Sequence, residues 1–267
     1  MKWIRQSLLA LLAATTSLTA HAQQPVKWPG GKKAAIVLTY DDALASQLNV
    51  AIPQLRKYEL TGTFFLTGNI TEDQMLQWRK AANDGMELAN HSLYHPCSER
   101  VYPNARQYYS ENYDVSTMIK EVGMMNKLLF GIDGKRQRTY AFPCSESLVG
   151  GVDYTPALQQ SGLIKYARSG GDSTAIITRF DTLQLYKIPS WPVNYQPTGE
   201  KLIDFASRTL QENGLGIFMF HGVGGDYITT SGEAHEQLLA WLAAHRQDVW
   251  VATFQEVMDY VTHAPKK

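Results

Sequence analysis

Short apolar, β-branched runs alternate with amphipathic stretches of helical period along most of this chain, and that alternation limits its fold more than any other feature. Strand-like runs fall at 34–40, 62–66, 86–89, 139–142, 164–168, 185–188, 215–220 and 249–252. Helix-like stretches fall between or after them at 72–83, 115–130, 154–160, 201–212, 233–245 and 254–262. Strands separated by helices pack as crossovers onto a mostly parallel sheet, so the class is α/β. Seven or eight such units fit a barrel better than an open sheet. Thr71 can cap the helix at 72 and Ser231 or Gly232 the helix at 233, while Gly162 and Gly214 stand where two helices should stop. The stretch 92–111 lacks a period and reads as a long loop after a strand, the kind of segment that carries function.

With 267 residues, 44% hydrophobic and 19% charged, the chain can bury one sizeable core, and a single domain over 23–267 is expected. Residues 1–22 have the form of a secretory leader: Lys2 and Arg5, an apolar run from Leu8 to Ala13, and small residues around Ala20-His21-Ala22. The apolar run is shorter than the roughly 20 residues that span a bilayer. An exported, periplasmic or secreted product without a membrane anchor is therefore expected. Cleavage would remove two of the 25 basic residues, leaving 23 against 25 acidic ones, a balance with no grip on nucleic acid or anionic lipid. Nothing in the sequence argues for a particular oligomeric state. Export also bears on Cys97 and Cys144, the only cysteines, each preceded by proline. An oxidising compartment favours their closing as a disulfide, two buried thiols being the alternative.

In a parallel barrel, chemistry gathers just past the carboxyl ends of the strands. The first run ends in Asp41-Asp42, the third leads into His91-Ser92-Leu93-Tyr94-His95, and the run 215–220 leads into His221-Gly222. Adjacent carboxylates at a strand end point apart, so one can hold a cation while the other takes a proton. His91 and His95 share a face if their segment makes a helical turn, and two histidines with one carboxylate are a catalytic zinc set that leaves a position for water. His221 follows a buried run and precedes Gly-Val-Gly-Gly, a setting suited to a proton donor.

These residues resemble the motifs of the NodB-type polysaccharide deacetylases, carbohydrate esterase family four. Thr39-Tyr40-Asp41-Asp42 is similar to the first motif, His91 to His95 to the second, and Phe218-Met219-Phe220-His221 to the one holding the catalytic histidine. The resemblance implies a distorted, incomplete (β/α) barrel with a divalent metal, usually zinc, bound by Asp42, His91 and His95. It also implies Asp41 as base, His221 as acid and the backbone at Cys144 as oxyanion donor. The expected partner is an acetylated oligo- or polysaccharide, with N-acetylglucosamine-containing glycans ahead of acetylated xylan and a non-catalytic carbohydrate binder as the further alternative.

Two positions depart from the family's pattern. Ala141 stands where the third motif has an arginine that braces the base, and Arg168, at the end of the next strand, is the candidate replacement. Trp191 is the nearest match to a substrate-side tryptophan, with Tyr227 and His235 weaker candidates for substrate contact.

Overall fold

The computed structural model describes residues 26–103, 106–194 and 196–263; the leader at 1–22 lies outside the described residues. In chain order the strands are β1 (Ala34–Asp41), β2 (Thr63–Leu66), β3 (Glu87–Asn90), β4 (Thr139–Ala141), β5 (Leu148–Val149), β6 (Val152–Asp153), β7 (Tyr166–Arg168), β8 (Ile176–Ile177), β9 (Trp191–Pro192), β10 (Leu215–Phe220) and β11 (Val249–Val251). The helices are α1 (Ile52–Lys57), α2 (Glu72–Asn83), α3 (Val115–Asp133), α4 (Thr155–Ser161), α5 (Gly199–Gln211), α6 (Gly232–Ala244) and α7 (Phe254–His263).

One sheet runs β7-β4-β3-β2-β1-β10-β8, parallel except where β8 meets β10, and it curls into the incomplete barrel that the family resemblance implies. β1 is its centre. Along one edge Ala35 to Tyr40 pair with β10, while the other edge is shared, Ala34 to Ile36 pairing with β11 and Thr39 to Asp41 with β2. The run 185–188 is not a regular strand, contrary to expectation. Its backbone nevertheless bonds β7, through Ala167 N–H to the Leu185 carbonyl and Ile188 N–H to the Ala167 carbonyl. A few residues on, β9 pairs with β10, so this segment bridges the opening that regular strands leave.

The helix ends largely follow local chemistry. Thr71 and Gln74 form a reciprocal capping box on α2, and Ser231 accepts from Ala234 N–H to cap α6. Gly162 adopts the left-handed conformation after α4, but beyond α5 that position is taken by Asn213, one residue before the expected Gly214. The helical segment from Gln47 to Lys57 was not expected, because no long apolar period announces it.

Alternation along the strands sorts the core into two layers. Ile36, Leu38, Tyr40, Phe64, Phe218 and Phe220 pack outward with Leu202, Phe205 and Leu238 of the helices. Ala35, Val37, Phe65, Ala89, Ala141, Tyr166, Leu215 and Ile217 face the barrel interior. Because side chains repeat every second residue, the inward set continues to Asp41, His91, Arg168 and His221 at the strand ends.

Candidate active site

The inward positions open into a cavity of about 1360 Å³ lined by both aspartates and by His91, His95 and His221. Asp42 Oδ1 lies 3.4 Å from His91 Nε2 and 3.4 Å from His95 Nε2, and the two imidazole nitrogens are 3.1 Å apart. His91 Nδ1 lies 2.9 Å from the Ala141 carbonyl, so it carries the proton and leaves the Nε2 lone pair facing Asp42 and His95. Burial, with the neighbouring His91, pushes His95 down to about 4, which keeps it neutral near pH 7. Burial alone would raise Asp42, but the facing imidazoles of His91, His95 and His221 hold it well below the usual carboxylate range.

Asp42 Oδ1 is buried and has no hydrogen-bond partner. A buried carboxylate oxygen left without a donor, 3.4 Å from each of two imidazole nitrogens, fits a cation rather than a hydrogen-bonding group. The donor set of one oxygen and two nitrogens suits a zinc-type divalent ion.

The neighbouring carboxylate has the opposite environment. Arg168 Nη2 donates to Asp41 Oδ1 at 2.7 Å and to Oδ2 at 2.5 Å, with both side chains buried. The guanidinium also bonds Ser190 Oγ at 3.1 Å and lies 4.9 Å from the Phe65 ring centre. Sheet register explains how it gets there, since Ala141 and Arg168 are direct partners on β4 and β7. The small side chain of one strand leaves the interior space that the long side chain of the next strand fills.

The remaining candidates separate. His221 lies across the cavity with Nε2 3.9 Å from Asp42 Oδ2 and with Nδ1 buried and unpaired. Cys97 and Cys144 are joined in a disulfide, Cα atoms 5.8 Å apart, which ties the loop after His95 to the turn after β4. Cys144 lines the cavity in a left-handed backbone conformation (φ 51°). Trp191, by contrast, is buried among Phe205 and Phe218, and its neighbour Pro192 lines the cavity in its place. His235 is also core, held between the Tyr40 hydroxyl and the Gln54 carbonyl. Tyr227 reaches the cavity, but its hydroxyl bonds Asp42 Oδ2 at 2.9 Å.

Supporting residues complete the site. Glu121, on the buried face of α3, accepts from the N–H groups of Leu93 and Tyr94, and Ser92 Oγ accepts from His95 N–H. Together they shape the turn that brings the two histidines together. Gln47 donates to the carbonyls of Asp41 and His221, tying the ends of β1 and β10. A carboxylate on an otherwise apolar helix stripe was the one available signal for Glu121; Gln47 had none.

Fold and site thus define a (β/α) barrel with two histidines and one carboxylate grouped closely enough at its strand ends to hold a cation. The chain matches the polysaccharide deacetylase family model over residues 29–156. Over 113 residues it is 27% identical to the peptidoglycan-N-acetylmuramic acid deacetylase PdaA of Bacillus subtilis, which covers 42% of this chain and 38% of that one. A 49-residue stretch is 41% identical to the uncharacterized protein YlxY of the same organism, covering 18% of this chain and 15% of that one. The chain thus matches well under half the length of either relative. Among solved structures, a Mycobacterium smegmatis protein assigned to the polysaccharide deacetylases superposes with TM-score 0.64 at 19% identity, over 90% of this chain and 94% of that one. A family pseudoenzyme from Bacillus anthracis superposes with TM-score 0.56 at 17% identity, over 86% of this chain and 66% of that one.

Proposed function

We propose that this protein is a metal-dependent hydrolase that removes acetyl groups from carbohydrate, chiefly by N-deacetylation of an N-acetylglucosamine-containing glycan. The same fold hosts a pseudoenzyme, so the catalytic reading rests on side chains rather than on architecture. The observation that carries it is the buried, partnerless Asp42 Oδ1 facing two imidazole nitrogens beside a second carboxylate already neutralised by an arginine.

Asp42, His91 and His95 would hold a zinc-type ion, which would supply a Lewis acid and a means of lowering the pKa of water to about 7. Asp41 is the general base that takes the water's proton, and Arg168 fixes its carboxylate in place. The Cys144 backbone N–H is the donor offered to the tetrahedral oxyanion. His221, on the far side of the cavity, gives a proton to the departing sugar nitrogen. A cavity of about 1360 Å³ exceeds the roughly 300–1,000 Å³ of small-ligand sites, which supports an oligomeric or polymeric substrate.

The likeness to PdaA, named for an amino-sugar substrate, supports an amide over the O-acetyl ester of xylan. The disulfide supports action outside the cytoplasm, in the periplasm or beyond the cell. Acetate release would be measured on N-acetylglucosamine oligomers, peptidoglycan fragments and acetylxylan, with and without chelator. Turnover of the amino-sugar substrates, lost on chelation and restored by zinc, is expected. No release from any of them by zinc-loaded protein would sink the proposal, and release from acetylxylan alone would move it to the esterase class.

A further inference from the structure

We infer that Tyr227 is a positioning residue for the cation site, holding Asp42 so that one oxygen is committed to a hydrogen bond and the other is left for the metal. The inference rests on the metal-centre reading above. Asp42 sits at φ 80°, a conformation that side chains other than glycine's rarely adopt, so its carboxylate orientation needs support from outside its own backbone. That support comes from 185 residues away, where the Tyr227 hydroxyl donates to Oδ2 at 2.9 Å. The other oxygen, Oδ1, is the buried one that faces both imidazoles. Tyr227 thus does for Asp42 what the Ala141 carbonyl does for His91, since groups that bind a metal ligand from behind set its direction and basicity.

The loop carrying Tyr227 is built to deliver it. After His221 the chain folds back on itself, with Gly222 N–H on the Tyr227 carbonyl at 3.2 Å and Thr230 N–H on the Gly222 carbonyl at 2.9 Å. A Cβ at Gly222 would meet the Gly225 carbonyl oxygen at 2.1 Å, so only glycine permits the fold. Asp226 Oδ2 accepts from Ser46 N–H at 2.7 Å, and Ser46 Oγ accepts from Val223 N–H at 3.1 Å. The loop is therefore pinned to the segment that follows β1, the strand leading into Asp42. Tyr227 is 53% exposed, and its ring centre lies 6.5 Å from that of His221. Tyr227→Phe removes the hydroxyl while keeping that ring.

The test is the dissociation constant for Zn²⁺, measured by competition with a chromogenic chelator on the full protein, Tyr227→Phe and Asp226→Ala. Tyr227→Phe should bind Zn²⁺ about 10- to 100-fold more weakly, the usual cost of losing a partner of a metal ligand, with the metal-free melting temperature unchanged. Asp226→Ala should weaken binding in the same direction by freeing the loop, and the visible spectrum of the Co²⁺-loaded protein should change in Tyr227→Phe. Wild-type Zn²⁺ affinity in Tyr227→Phe overturns the role of Tyr227 and leaves the metal centre standing. Failure of the unaltered protein to bind Zn²⁺ overturns the metal centre and this inference with it.

Discussion

Glu87, at the start of β3, and Asp42, just past the end of β1, are both carboxylates taken out of water, and their surroundings differ completely. Burial leaves the Glu87 carboxyl raised above its ordinary value, although it accepts from the Thr63 and Thr139 hydroxyls and from Gln255 N–H, which pull the other way. Nearby, Arg138 pairs with Asp133 at 2.6 and 2.8 Å and donates to the carbonyls of Leu88 and Lys135. At the opposite end, Asp42 Oδ1 and His221 Nδ1 are buried without partners. Backbone strain follows the same division. Of the eleven non-glycine residues at positive φ among the described residues, eight (Asp42, Ala43, Ser92, His95, Cys144, Ser145, Asp226 and Ile228) lie in the loops around the mouth. At the floor both oxygens of Glu87 and of Asp133 meet donors of the protein itself, although Arg138 Nε is left unpaired. Charge at the mouth is left incomplete and held under strain, a state that a ligand completes.

Substituting one carboxylate at each end would break that contrast if it is wrong. Asp41→Asn should lower kcat for acetate release by roughly 10²- to 10⁴-fold, the range for a general base, with zinc content unchanged. Glu87→Gln should leave kcat per folded molecule intact and instead lower the melting temperature. Equal losses of kcat in both would erase the division of labour.

A second comparison concerns the covalent tie at the mouth. Replacing Cys97 and Cys144 by serine opens a loop of 47 residues and should cost roughly 2–4 kcal/mol in urea unfolding. An unchanged unfolding midpoint would show that the mouth loops are held by their hydrogen bonds alone. Next in size, Arg168→Ala should cut kcat about 10²-fold, the cost of misplacing a catalytic group by about 1 Å. Adding Ala141→Arg to that variant should recover at least about tenfold, because the two positions are register partners on one face. No recovery would mean that the arginine cannot be supplied from the neighbouring strand.

The smallest effect belongs to His235, a core histidine behind β1. Burial pushes its pKa down to about 3 from an ordinary 6.5, so the folded protein keeps it neutral while the unfolded chain takes up a proton. Its contribution to stability is complete above about pH 6.5 and is lost as pH falls toward 3, with a slope of about 1.4 kcal/mol per pH unit. His235→Gln should flatten the stability profile between about pH 6 and pH 4. An unchanged slope would place the acid sensitivity elsewhere.

Periodicity alone placed most of the regular elements, because strand and helix repeats come from local backbone geometry, and α2 runs from Glu72 to Asn83 as expected. Strand-end position singled out Asp41, Asp42, His91, His95 and His221; alternation turns Asp41, His91 and His221 inward, whereas Asp42 and His95 sit just beyond in left-handed backbone conformations. What no local pattern carried was contact across the sheet or between loops. Arg168 reaches Asp41 because β7 lies in register with β4; Trp191 is core because β9 packs beside β10; and Tyr227 reaches Asp42 because a folded-back loop is pinned to Ser46. Local geometry is written in neighbouring residues, whereas these pairings bring together residues far apart in the chain. Only the closed packing of the barrel chooses among the partners that each side chain could have met.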